Sequence, residues 1–62
     1  MSRSRDQQII FEITRHGDYV KVCAIDPITL VEVSVVGPAN YPFELLKRTA
    51  LRKLERAIGR DG

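Results

Sequence analysis

The stretch that decides the fold is Tyr19-Val20-Lys21-Val22-Cys23-Ala24-Ile25, followed by Asp26-Pro27-Ile28-Thr29 and then Leu30-Val31-Glu32-Val33-Ser34-Val35-Val36. Both valine-rich runs alternate, and a half-buried strand repeats every two residues, so each run sorts its side chains onto two faces. Val20, Val22 and Ala24 share one face with Val31, Val33 and Val35. The opposite face carries Tyr19, Lys21, Cys23 and Ile25 beside Glu32, Ser34 and Val36. Proline fixes its own φ and aspartate bonds the backbone locally, so Asp26-Pro27 marks the turn between the runs. A loop of two residues or of four keeps the same faces; the four-residue loop places Leu30 at positive φ, which strains a non-glycine residue.

Upstream, Ile9, Phe11 and Ile13 alternate with Ile10, Glu12 and Thr14, and the first set belongs to the core face. Arg15-His16-Gly17-Asp18 closes this strand, and a two-residue turn at His16-Gly17 suits a primed hairpin because glycine accepts positive φ. That turn sets Ile13 opposite Val20, Phe11 opposite Val22 and Ile9 opposite Ala24. On the other face it sets Glu12 opposite Lys21, a favourable cross-strand pair.

Downstream, Gly37-Pro38-Ala39-Asn40-Tyr41-Pro42 ends the sheet and opens a helix. Asn40 is the expected N-cap, with Pro42 in the first turn and Glu44 at the positive end of the dipole. Phe43, Leu46, Ala50, Leu54, Ala57 and Ile58 recur at helical spacing, flanked by Leu51, and Gly59 is the expected stop. Residues 43 to 58 at helical rise span roughly 24 Å, and a six-residue strand roughly 20 Å. One helix therefore covers one face of a three-stranded meander. The expected fold is α+β, β-β-β-α, with sheet order 1-2-3 and the helix on one face. The domain runs over residues 9–59, between tails at 1–8 and 60–62.

Composition narrows the function classes. In 62 residues there are ten Lys plus Arg and eight Asp plus Glu. This balance gives the whole molecule no strong bias toward nucleic acid or membrane. The excess is local: residues 43–62 carry six basic and three acidic side chains. One cysteine excludes an intramolecular disulfide and fits a reducing compartment, and no apolar run reaches signal or membrane-span length. The expected location is cytoplasmic.

Convergent chemistry is sparse. His16 and Cys23 are the natural base and thiol, but seven positions of nearly straight backbone set them roughly 23 Å apart, too far for a dyad. One histidine and one cysteine do not complete a tetrahedral metal site within one chain. Glu12 is assigned to Lys21, Glu44 to Arg48 at i,i+4, and Asp18 and Asp26 to turns. Gly17, Gly37 and Gly59 read as punctuation, leaving no phosphate loop. No catalytic, cofactor or metal residue is assigned.

Two surfaces rise above this background. The uncovered sheet face, with Ile10, Tyr19, Cys23, Ile25 and Val36, is apolar enough to expect a protein partner or a second copy there, or along the exposed edge of strand 3. On the helix, Arg48, Arg52 and Arg56 form an i,i+4 ridge with Lys47, Lys53 and Arg60 at its margins. Such a ridge suits phosphates of a nucleic acid or reads as a solvated helix face with Glu55 interleaved, and Arg3 and Arg5 in the first tail read as a phosphate-contacting arm or as a solubilising terminus; no row of aromatics for base stacking accompanies the ridge. Leu45 projects near the ridge and reads either as a partner contact or as part of a fraying first turn. The expected function is a non-catalytic protein-interaction or self-association module; the alternative is a nucleic-acid-binding accessory using the basic helix face.

Tyr19-Val20-Lys21-Val22, Ala24-Ile25-Asp26-Pro27, Glu32-Val33-Ser34, Gly37-Pro38 and Ala50-Leu51-Arg52-Lys53-Leu54-Glu55 together resemble a family of short uncharacterised bacterial proteins classed as a domain of unknown function. The resemblance covers residues 9 to 58 and implies no site residue. In that family glycine is common where this chain has Leu30. Members sometimes carry the name serine hydroxymethyltransferase, which does not suit this chain: a pyridoxal-phosphate enzyme needs a Schiff-base lysine inside a cofactor pocket, and one helix on three strands encloses none. The topology is also similar to the β-β-β-α portion of a double-stranded RNA-binding domain without its first helix, a likeness of fold that assigns no function.

Overall fold

Strand alternation and helical spacing are realised in a computed structural model that describes residues 8–59. The expected tails, with Arg3, Arg5 and Arg60, lie outside the described residues apart from Gln8. The elements are β1 (Ile10–His16), β2 (Tyr19–Ile25), β3 (Glu32–Pro38) and α1 (Phe43–Ile58). The strands form an antiparallel sheet in the order β1-β2-β3, with α1 against one face.

The first hairpin keeps the expected faces and changes the expected partners. His16 pairs with Tyr19, so the two-residue turn is Gly17-Asp18, and Ile13 lies opposite Val22 rather than Val20. The cause is glycine's place in the turn. With Gly17 second, a type I′ turn would also force His16 to positive φ; with Gly17 first, a type II′ turn needs it at one position, and Gly17 takes it at +58°. Moving the turn by one residue moves every pairing by two, so parity survives and no side chain changes face. The expected Glu12–Lys21 pair does not: Glu12 lies opposite Cys23, and Lys21 opposite Thr14.

The second connection takes the four-residue form, Pro27 to Leu30. Asp26 N–H donates to the Val31 carbonyl at 2.9 Å, and Leu30 N–H to the Asp26 carbonyl at 2.7 Å. Asp26 is fully buried, and its Oδ1 accepts the Ile28 N–H at 2.9 Å. Thr29 Oγ1 accepts the Val31 N–H at 3.2 Å. Closing the loop leaves Leu30 at φ +66°, the strained conformation expected of this loop length. β3 begins at Glu32, two residues later than the alternation of Leu30 to Val36 suggests, and runs through Gly37 to Pro38.

Gly37 is thus no breaker. Its odd number puts it on the face of Val33 and Val35, where a Cβ would stand 2.7 Å from Leu46 Cδ2. The missing side chain lets α1 press close to β3. The core is Val22 and Ala24 of β2, Leu46, Ala50 and Leu54 of α1, and Ile9, flanked by Phe11, Val20, Val31, Val33, Val35, Leu51 and Ile58. Each large aliphatic removed from water here stabilises the fold by about 1.5–3 kcal/mol.

Helix entry also differs from expectation. Pro42, not Asn40, is the N-cap, and no side chain caps the first turn. A residue before proline is pushed out of the α region, so Tyr41 cannot be helical and the helix cannot start from Asn40. The Pro42 carbonyl accepts the Leu45 N–H at 3.0 Å instead. At the other end Gly59 stops the helix at φ +81°, its N–H donating to the Arg56 carbonyl at 3.1 Å. Ala57 and Phe43, placed on the apolar stripe by spacing, are exposed, while Ile58 packs against the core.

Candidate interaction surface

Because α1 packs on β2 and β3, the sheet is covered unevenly. Ile13 belongs to the helix face by parity yet is 48% exposed, since β1 projects beyond the helix. The core reading of Ile13 is therefore corrected: it is an apolar side chain at the open margin. Alternation gives no warning of this, because parity tells which face a residue joins and not how far the helix reaches.

The reverse face has no described element over it, and the register arranges it in four cross-strand rows. These are His16–Tyr19–Pro38, Thr14–Lys21–Val36, Glu12–Cys23–Ser34 and Ile10–Ile25–Glu32. The five apolar residues expected to form an interface fall into two groups. Ile10 and Ile25 are direct neighbours at one end; Tyr19 and Val36 lie at the other, where the His16 and Tyr19 rings sit 5.6 Å apart. Cys23, half-buried and a free thiol, stands between them in a polar row. Ile10, Tyr19 and Val36 are exposed and Ile25 is half-buried. The face is thus apolar at both ends and polar across the middle.

The two edges of the sheet differ. On β3, Lys53 Nζ donates to the Ser34 carbonyl at 3.0 Å, and Pro38 at the strand's end has no N–H. A lysine and a proline are the usual means of blunting an edge. On β1, the described residues supply no comparable cover. Both β1 and β3 are sheet edges, and the contact from Lys53 engages one outward acceptor of β3.

On the helix, Arg48, Arg52 and Arg56 are exposed together, as their spacing requires. The lysines at the margins are engaged. Lys53 holds Ser34, and Lys47 Nζ lies 4.9 Å from the Phe11 ring centre and 5.7 Å from that of Phe43. Lys47 keeps its stem against the sheet and its charge over aromatic faces. Phe11, Glu44, Lys47, Arg48 and Leu51 line an open hollow of about 270 Å³. Leu45 is exposed beside the arginines, and its carbonyl accepts the Thr49 hydroxyl at 2.9 Å.

The histidine and the cysteine come closer than a straight backbone implies. His16 lies across from Tyr19, so Cys23 stands four residues along β2, or about 14 Å away at strand rise. Both occupy the uncovered face, still too far apart for proton transfer. Among the described residues no three of His, Cys, Asp and Glu gather as metal ligands would.

A family profile matches residues 6–61, nearly the whole sequence. The chain belongs to the domain of unknown function DUF6898. Neither a curated protein nor a solved structure matches it. Membership ties this sequence to a family and brings no activity with it, so function rests on the surfaces above. No helix among the described residues is long and apolar enough to cross a membrane.

Proposed function

We propose that this chain is a non-catalytic self-association module, whose occupant is a second copy of itself. One observation carries the reading: a single helix seated over β2 and β3 leaves Ile10, Tyr19 and Val36 exposed on one face and Ile13 exposed on the other. Apolar area left in water on so small a domain is recovered by burial in a complex. The distance between His16 and Cys23 supports the non-catalytic part. Sedimentation equilibrium over rising concentration, with thermal unfolding at the same concentrations, tests it. Self-association raises both the average mass and the unfolding temperature with concentration; a monomer whose midpoint never moves defeats the reading.

A second reading, a nucleic-acid-binding accessory, is favoured by the three arginines that stay in solvent while Lys47 lies over aromatic rings and Lys53 is bonded to Ser34. Its test is a gel shift on duplex RNA and duplex DNA. Affinity that falls steeply with salt and disappears in Arg52→Glu supports it; indifference to both defeats it.

A further inference from the structure

We infer that the second copy joins along the outer margin of β1, giving a two-fold dimer with one continuous sheet of six strands, three from each copy. This rests on the self-association reading and specifies its geometry for exposed Ile13, while Tyr19 and Val36 stay on the uncovered face.

The direction of the backbone groups follows from bonds already described. The Ser34 carbonyl points away from β2, because it accepts Lys53. Asp26 N–H donates to the Val31 carbonyl, and Ala39 N–H to the Asp18 carbonyl, so even-numbered residues along β2 bond toward β3. In an antiparallel ladder successive residues bond to opposite sides. Tyr19, Lys21, Cys23 and Ile25 therefore bond toward β1, where their partners are His16, Thr14, Glu12 and Ile10. The remaining residues of β1, Phe11, Ile13 and Arg15, turn N–H and C=O outward.

Those three residues are self-complementary. An antiparallel pairing of β1 with its copy centred on Ile13 sets Ile13 against Ile13, Phe11 against Arg15 and Arg15 against Phe11. Every outward group then finds a partner. Shifting the centre to residue 12 sets Arg15 against Ile9, before the start of β1, and opposes Glu12 to Glu12, a like-charge contact. Shifting it to residue 14 leaves Phe11 unpaired. In the Ile13-centred register Glu12 meets Thr14 and Ile10 meets His16, with no like charges opposed.

The side chains support the same register. A two-fold axis normal to the sheet puts both helices on one side, each over its own β2 and β3, with an open trough between them. Ile13, exposed in the single chain, meets its counterpart on the floor of that trough. Arg15 of the second copy arrives beside Phe11, at the hollow lined by Glu44, Lys47 and Arg48. Pairing through β3 has less support, because Lys53 occupies the Ser34 acceptor and Pro38 lacks a donor.

Amide hydrogen exchange of the full chain at low and high concentration, beside sedimentation of Ile13→Lys and Ile25→Lys, tests the proposal. Ile13→Lys opposes two lysines across the axis, whereas Ile25→Lys alters the uncovered face and leaves the β1 margin intact. The expected result is a dimer in which the Phe11, Ile13 and Arg15 amides exchange at least tenfold more slowly at high concentration. Ile13→Lys then weakens dimerisation at least tenfold, and Ile25→Lys changes it less than threefold. A dimer lost in Ile25→Lys but kept in Ile13→Lys overturns the edge arrangement and leaves self-association standing. Protection of the three amides that is independent of concentration also overturns it. A chain still monomeric at about 1 mM, where binding is weaker than roughly 4 kcal/mol, removes both.

Discussion

Lys53 reaches from α1 past the rim of the sheet and donates to the backbone carbonyl of Ser34 across 3.0 Å. One side chain thus ties the helix to the edge strand and occupies an acceptor that another strand would use. The contact is exposed, so it adds little to stability; what it changes is which edge is available.

Replacing Lys53 with alanine is accordingly expected to cost less than about 1 kcal/mol, in line with an exposed hydrogen bond. The larger effect is on assembly. With β3 uncovered as well as β1, sedimentation velocity should show species larger than the wild type forms at equal concentration, and Lys53→Arg should not. Indistinguishable distributions for Lys53→Ala and wild type would show that this lysine does not guard the edge.

Gly37 and Leu46 form a coupled pair. A Cβ at position 37 comes within 2.7 Å of Leu46 Cδ2, and Leu46 is buried. Gly37→Ala is expected to cost about 1–3 kcal/mol by overpacking, and Leu46→Ala about 2–5 kcal/mol by leaving a cavity. Together they should cost less than their sum by at least about 0.5 kcal/mol, because the added methyl enters space the leucine has left. Urea midpoints of the four proteins decide; strict additivity counts against close packing here.

Leu30 at φ +66° sets up a stabilising substitution. Left-handed backbone costs a non-glycine residue about 1–2 kcal/mol, and glycine returns about 0.5–1 kcal/mol of that through its extra freedom when unfolded. Leu30 is largely exposed, so trimming it sacrifices little packing. Leu30→Gly should raise stability by up to about 1 kcal/mol, worth roughly 4–8 °C in a domain of this size. Leu30→Val should lower the melting temperature.

Asp26 offers a contrast between shape and chemistry. It is fully buried, and its Oδ1 accepts the Ile28 N–H inside the loop. Asp26→Ala strands that donor and is expected to cost about 1–3 kcal/mol. Asp26→Asn keeps a carbonyl oxygen in place and should cost less. Chemical denaturation of both variants gives the comparison, and equal losses would show that the oxygen at this position contributes nothing.

The β-β-β-α order and the face of each strand residue were legible because alternation and helical spacing are local signals. A two-residue shift in register leaves them untouched, which is why misplacing the turn at His16-Gly17 moved Ile13 from Val20 to Val22 without moving it between faces. Turn chemistry needed a finer argument: that a type II′ turn strains fewer residues at Gly17-Asp18, and that Tyr41, before Pro42, cannot be helical. Both signals are in the sequence. So is the parity of Gly37, which places it under the helix.

What lay beyond local reading was the lateral position of α1. Spacing shows that Leu46, Ala50 and Leu54 face the sheet, but not that they sit over β2 and β3 and leave Ile13 in solvent. The contact between Lys53 and the Ser34 carbonyl, nineteen positions apart, likewise has no sequence pattern of its own. The five residues of the uncovered face were located correctly from parity. Their division into two ends by the Glu12–Cys23–Ser34 row required the pairing itself.

The solitary thiol of Cys23 gives this molecule a built-in attachment point for a spectroscopic reporter. A nitroxide there reads geometry directly: edge-joined copies would hold the two labelled backbones roughly 16 Å apart, whereas sheets stacked through the same face would lie about 10 Å from each other. A label that blocks stacking would leave strand-to-strand growth undisturbed, so the labelling reaction itself discriminates between the two geometries.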